Sequence, residues 1–390
     1  MKGCRVAIVA DDLTGALDAA APFAARGTTP RVVVTLEGLP MALRRWGRKP
    51  PGVVAVNTES RHLPAWQAVA RVERAVALLA RLSPTLWFKK IDSTLRGHAV
   101  PESLAMSHWI ERPIVVAPAV PSQGRITRHG RVHVHGAPLE TTDFARDARS
   151  RPPLGALDTL FAELGHRPKR LSPDLPLPDG PAIVDAEVDD DLDRLSGELW
   201  AAPGHWLAVG ASGLAAALAR GLHGGVCMGL EPCRTSGIWL VVGSRSRQTQ
   251  RQLERLREMA PDMPVTDVLK DAGVPPSSRS RLLIPGAKGA YSAECVAHRL
   301  GDAFVAGLQV SKGSRHLGVL TGGDIAMAVL QRLDAGVITV TGEWEPGVVL
   351  GHPEGRGEWP FVTKAGGFGD DELLVRLYKT LGSHTKVVAS

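Results

Sequence analysis

Short apolar runs alternate with longer stretches of helical spacing along most of the chain. Residues 6–10 (VAIVA) are long enough for one buried strand, and residues 16–25 form a small-residue run that reads as a helix. Further strand candidates fall at 31–36, 53–56, 86–91, 114–117, 182–185 and 206–209. Residues 65–82 carry apolar positions at helical spacing after Pro64. This alternation predicts an α/β fold, with mostly parallel sheets covered by helices. Farther along, the apolar runs 238–242, 317–320 and 361–363 each lead into a glycine-bearing turn and then a helix, the second spanning 325–333. Residues 221–237 hold five glycines, a proline and two cysteines and mark the expected boundary. The predicted domains are therefore 1–225 and 236–390. The Pro-, Asp- and Leu-rich stretch 167–181 reads as a surface connection inside the first.

Polar residues collect where the strands end. Asp11 and Asp12 follow the first run directly. In an open α/β sheet, ligands bind in the crevice beyond the carboxyl ends of the strands, so two carboxylates there point to a functional site. Helix capping by Asp12 or Thr14 explains one of the two, not the pair. Residues 57–62 (NTESRH) follow a strand and offer Arg61, a planar donor suited to a carboxylate. Residues 89–97 (KKIDSTLRG) crowd Lys89, Lys90, Asp92, Ser93, Thr94 and Arg96 onto one strand end. Such a mixture suits a polyhydroxylated acid, the lysines meeting its carboxylate and Asp92 and Ser93 its hydroxyls.

In the second half the turns contain Ser244, then Thr321, Gly322, Gly323 and Asp324, then Gly366 and Gly367. Backbone N–H groups at such helix starts favour anions, and three of them suggest a phosphate-rich ligand. Neither the G-x-x-x-x-G-K-[ST] loop nor a G-x-G-x-x-G dinucleotide fingerprint is present.

Composition narrows the choice. The chain has 390 residues, 44% hydrophobic, enough for two domains with full cores. Its net charge of +6 favours anionic substrates, but the basic residues are scattered with few aromatics between them, unlike a nucleic-acid surface. Cys4, Cys227, Cys233 and Cys295 form no C-x-x-C pair. His129, His133 and His135 lie in a predicted hairpin without an acidic or cysteine partner at ligand spacing, and metal ligands remain unassigned. No apolar run reaches membrane-spanning length, and Asp11 and Asp12 break the first one before it resembles a signal peptide. The expectation is a cytoplasmic protein without membrane or nucleic-acid partners, with a homo-oligomer left open.

ADDLTGA, KKIDSTLRGH, VGSRS, TGGD, GEWEPGVVLG and KAGGFGDDELL occur in this order across nearly the whole chain. Together they resemble the four-carbon acid sugar kinases, which act on threonate, erythronate or 3-oxo-tetronate. The resemblance implies two α/β domains with a ligand cleft between them, the first holding the sugar acid and the second ATP, with Mg2+. It implies substrate contacts at Asp11 or Asp12, Arg61, Lys90, Asp92 and Ser93, and nucleotide contacts at Ser244, Gly322, Gly323, Asp324, Gly366 and Gly367. The expected reaction is phosphorylation of the terminal hydroxyl, with Asp12 as base or hydroxyl orienter and Asp11 its fallback. Asp324 is the alternative base or a magnesium ligand. Two rivals are a catalytically silent sugar-acid and nucleotide binder and a haloacid-dehalogenase-like phosphatase. The latter wants D-x-D, whereas adjacent aspartates face opposite ways in an extended chain.

Overall fold

The structure is a computed structural model that describes residues 3–146, 150–224, 235–244, 246–271, 280–286, 291–311, 316–357 and 359–381. Most of the expected boundary, with Cys227, Cys233 and also Arg245, lies outside these residues. The chain divides into two compact units, residues 1–228 and 229–390.

The first unit runs β1 (Val6–Ala10), α1 (Leu13–Ala24), β2 (Arg31–Val33), α2 (Leu39–Trp46), β3 (Val53–Asn57), α3 (Ala65–Leu79), β4 (Leu86–Lys90), α4 (Ala99–Ile110) and β5 (Ile114–Ala117). It continues with β6 (Arg125–Arg128), β7 (Arg131–Val134), β8 (Ala137–Pro138), α5 (Leu157–Ala162), β9 (Lys169–Leu171), β10 (Ala182–Val184), α6 (Asp189–Ala201), β11 (Leu207–Gly210) and α7 (Ser212–His223). Its main sheet has the order β2-β3-β1-β4-β11-β5-β10-β9 and is parallel throughout. Every residue of β1, β3 and β4 is buried, as expected of strands covered on both faces. The stretch expected to be only a surface connection contributes β9, which completes the edge beside β10. β6, β7 and β8 form a separate antiparallel sheet.

The strand order places a switch point at β1. From β1 the chain passes to β2 on one flank, and from β4 it passes to β5 on the other. Registers align Ala10 with Asn57 and with Lys90, so the segments after β1, β3 and β4 start side by side at one level. This is the crevice in which α/β sheets hold ligands.

The second unit runs β12 (Gly237–Val242), α8 (Arg247–Met259), β13 (Val265–Asp267), β14 (Arg281–Ile284), α9 (Ala293–Val310), β15 (His316–Thr321) and α10 (Gly323–Arg332). It closes with β16 (Val337–Glu345), β17 (Val348–Pro353), β18 (Phe361–Lys364) and α11 (Leu373–Leu381). Its strands lie in the order β13-β14-β12-β15-β18-β17-β16. The first five are parallel; β17 pairs antiparallel with both β18 and β16. The β16–β17 hairpin turns at Pro346 and Gly347, where Gly347 has φ 80°. The sequence pattern did not predict it, because charged and aromatic residues in GEWEPGVVLG hide the two-residue period. Leu240, Val242, Val319 and Val362 of the sheet pack with Leu374 and Leu377 of α11 in the apolar core. The chain leaves β12 towards β13 and enters β15 on the other side, which gives this sheet its own switch point.

Among the described residues no helix is long and apolar enough to cross a membrane.

Candidate functional site

The residues after β3 are stapled to the end of β1. Thr58 donates its N–H (2.8 Å) and hydroxyl (2.9 Å) to the Ala10 carbonyl, and Ser60 N–H donates to the Asp11 carbonyl at 3.0 Å. This strap delivers Arg61 to both aspartates. Its Nε and Nη2 donate to the two oxygens of Asp11 at 2.8 and 2.9 Å, and Nη1 donates to Asp12 Oδ2 at 2.6 Å. Asp12 Oδ1 accepts from Gly15 N–H at 2.7 Å and caps α1. Capping and the paired-carboxylate site thus coexist in one residue. The Asp11 side chain is 4% exposed and that of Asp12 24%, so Asp12 is the more open member of the pair.

Burial raises the Asp11 pKa, but Arg61, then Lys89 and Lys90, outweigh it and hold the carboxyl below the ordinary range. Burial likewise works against the Arg61 guanidinium, and Asp11, Asp12 and Asp92 hold it well above its usual value. Arg61 was expected to grip a substrate carboxylate. In the structure three of its N–H groups are committed to the aspartates, and it acts as the orienting cation of the pair.

The segment after β4 folds tightly around Asp92. Thr94 donates through its N–H (3.0 Å) and its hydroxyl, while Arg96 donates through Nε at 3.1 Å and Nη2 at 2.8 Å. Burial opposes ionisation of Asp92, but Arg96 and Arg61 keep its pKa well below normal. Ser93 accepts from Arg125 Nη1 at 2.7 Å. Arg125, on β6, was not predicted from the sequence, where three histidines of the same stretch are the more conspicuous polar residues. The available signal was the first of three arginines, Arg125, Arg128 and Arg131, in a predicted hairpin over the site. Gly97, at φ 83°, brings this segment against Asp11: a Cβ there would sit 2.8 Å from Asp11 Oδ2.

Lys89 does not join the cluster. Successive strand residues point to opposite faces, and Lys89 turns to the face that α4 covers, where its Nζ lies 2.8 Å from Glu102. That pair is 0% and 1% exposed, so Lys89, expected to contact substrate, is a buried cation engaged with Glu102. Lys90 faces the site. Its Nζ donates to the Ile91 carbonyl at 3.0 Å and lies beside Gly15. The sequence also gave no role to Asp18, a buried acid of α1 whose pKa burial raises despite Lys90 and Ser212 nearby.

In the second unit the three glycine turns converge at the ends of β12, β15 and β18. Gly322 N–H donates to the Lys364 carbonyl at 2.9 Å. The Gly366 carbonyl accepts from Ser246 Oγ at 2.6 Å and Thr249 Oγ1 at 2.8 Å, both at the start of α8. A Cβ at Gly366 would fall 2.2 Å from Ser244 Oγ, and one at Gly322 3.7 Å from Ser244 Cβ. Ser244, Gly322, Gly323, Gly366 and Gly367 therefore share one rim, onto which α8 and α10 open. The Thr321 side chain leaves it: its buried hydroxyl donates to the Val241 carbonyl at 3.0 Å and ties β15 to β12. Asp324 is exposed in the first turn of α10.

Among the described residues no cluster of three or more His, Cys, Asp or Glu stands ready to hold a metal ion. Magnesium commonly takes one or two carboxylates, with phosphate oxygens and water supplying the rest. One exposed acid beside the rim, Asp324, fits that demand.

A carboxylate pair oriented by arginine at one switch point, and a glycine rim fed by two helix starts at another, define a two-domain α/β enzyme for a small polar acceptor and a phosphorylated donor. Residues 6–218 match the family model described as a sugar-binding N-terminal domain, and residues 277–374 the one described as a nucleotide-binding C-terminal domain. The chain belongs to the four-carbon acid sugar kinase family. It is 34% identical to a D-threonate kinase of Bordetella bronchiseptica, over 96% of this chain and 97% of that one. It is 32% identical to a D-threonate kinase of Cupriavidus necator over the same shares. Among solved structures, a protein of Salmonella typhimurium LT2 matches with a TM-score of 0.75 at 20% identity, over 95% of this chain and 98% of that one. A Bordetella bronchiseptica protein with bound citrate, a domain-swapped dimer, matches with a TM-score of 0.52 at 30% identity, over 97% and 98%.

Proposed function

We propose that this chain transfers the γ-phosphoryl group of ATP to the terminal, C4 hydroxyl of a four-carbon sugar acid, with D-threonate as its first substrate. The observation that carries this reading is 34% identity to a D-threonate kinase across almost the full length of both chains. The geometry agrees with it. Phosphoryl transfer asks a protein for positioning and charge neutralisation more than for covalent chemistry, and both clusters supply those.

In this reading residues 1–225 take the sugar acid and residues 236–390 the nucleotide. Lys90 meets the acid's carboxylate, and Asp92 and Ser93 flank its hydroxyls. Asp12, the more open aspartate, orients the attacking hydroxyl and accepts its proton, while Asp11 and Arg61 fix its position. The Gly322–Gly323 and Gly366–Gly367 turns direct N–H groups at the phosphates. Asp324 would hold Mg2+, which neutralises phosphate charge when bound. By analogy with the domain-swapped Bordetella structure, the chain is proposed to form a homodimer, which light scattering on the purified protein would check.

The test is a coupled ADP-release assay with D-threonate, L-threonate, D-erythronate and 3-oxo-tetronate. Turnover should be greatest with D-threonate. A folded, nucleotide-binding protein that turns over none of them would leave the silent-binder reading in its place.

A further inference from the structure

Among the described residues three lysines are buried at strand ends, Lys89, Lys90 and Lys364, and the first two have acids near them: Lys90 acts on Asp11 and Asp18. Lys89 has Glu102 at 2.8 Å. Lys364, the last residue of β18, is 1% exposed. Its Nζ reaches only Thr249 Oγ1 and the Gly366 carbonyl, each at 3.4 Å. Both acceptors are neutral and already engaged, since Gly366 O takes the closer Ser246 and Thr249 hydroxyls and Thr249 Oγ1 also bonds Ser246 Oγ at 3.0 Å. Among the described residues no carboxylate acts on Lys364. Burial alone pushes its pKa down, to about 8.

A buried ammonium without a partner is costly to a folded chain. Here the cost falls where the three glycine turns meet and where α8 and α10 begin, a setting that favours anions. A polyanion would suit such a place. We propose that Lys364 is the catalytic cation of the nucleotide site, its Nζ bonding the terminal phosphates of ATP and following the γ-phosphoryl group through transfer. This rests on the reading of the second unit as the nucleotide site, and adds to it a lysine that phosphate-rich ligands require and adenosine does not.

The experiment compares binding of a non-hydrolysable ATP analogue, ADP and AMP by calorimetry in the full-length wild-type protein and in Lys364→Met. The wild type should prefer the ATP analogue to AMP. The variant should lose about 10- to 100-fold in affinity for the analogue, the scale of a charge-assisted hydrogen bond, and little for AMP. Equal losses for all three ligands, or none for the analogue, would overturn the proposal. Absence of nucleotide binding by the wild type would instead remove the nucleotide reading beneath it. Should the variant not fold, a crystal structure of the wild type with the analogue decides: Nζ within hydrogen-bond distance of a β- or γ-phosphate oxygen supports the role, and Nζ away from both refutes it.

Discussion

Asp12 carries two duties at once, capping α1 through one oxygen and facing the site through the other. The substitution Asp12→Ala should lower turnover by about 10²- to 10⁴-fold, the usual contribution of a general base, while ATP affinity stays close to that of the wild type. The lost cap should cost about 1 kcal/mol, so a thermal melt separates the two effects. Arg61→Ala acts differently, because it strands Asp11 as a buried charge; a loss of about 3–5 kcal/mol in denaturant unfolding is expected. Lys364 gives a pH signature of its own. Its folded pKa of about 8 lies below the ordinary 10.5, so between these values the unfolded chain binds the extra proton and stability rises with pH. At neutral pH the apo wild type should therefore be less stable than Lys364→Met, by up to roughly 3 kcal/mol. That gap should narrow as pH climbs from about 8 to 10, in unfolding curves recorded across the range.

At the scale of elements, the turns matter for what they bring close. A methyl at Gly366 would stand 2.2 Å from Ser244 Oγ and separate two turns of the nucleotide rim. Gly366→Ala should therefore weaken ATP binding in calorimetry and leave sugar-acid binding intact. Gly97 combines a left-handed φ of 83° with 2.8 Å to Asp11 Oδ2. Gly97→Ala should destabilise the protein by about 1–3 kcal/mol and displace the aspartate pair, so that turnover falls more than nucleotide affinity. The strands show how far periodicity reaches. β1, β3, β4, β12 and β15 were legible as apolar runs because both faces of each are covered. β9 and the β16–β17 hairpin were not, since β9 is a three-residue edge strand with two charges and the GEWE end of β16 interrupts the apolar run.

For the whole molecule, the first unit's acids respond to pH with opposite signs. The Asp92 carboxyl is held well below its ordinary pKa, so its stabilising effect is complete above the unfolded value and fades as pH falls through the folded one. Asp18 is raised by burial, so its charge weighs against the fold at neutral pH, and protonation on acidification relieves it. Asp92→Asn should be less stable than the wild type at pH 7 and Asp18→Asn more stable, with both differences shrinking towards acid in denaturant titrations. A uniform response of the two variants would show that the site's charges do not act on folding in this way.

Adjacent residues in the chain determined much of this by themselves. Runs of apolar residues, aspartates closing the first run and glycines opening helices are local features, and they suffice to predict strands, helices and the chemistry at their ends. Local pattern could not say which neighbour each charge would meet. KKIDSTLRG reads as one cluster, yet strand alternation sends Lys89 to Glu102 and leaves Lys90, of the two lysines, on the side of Asp12 and Gly15. Arg61 looked like a free hand for a carboxylate until parallel register set it against Asp11 and Asp12, 50 and 49 residues away. Lys364 is one polar residue among several in its turn until burial without a counter-charge sets it apart. The value of a charge depends on the distance and wetness of its surroundings, and those are properties of the folded chain alone.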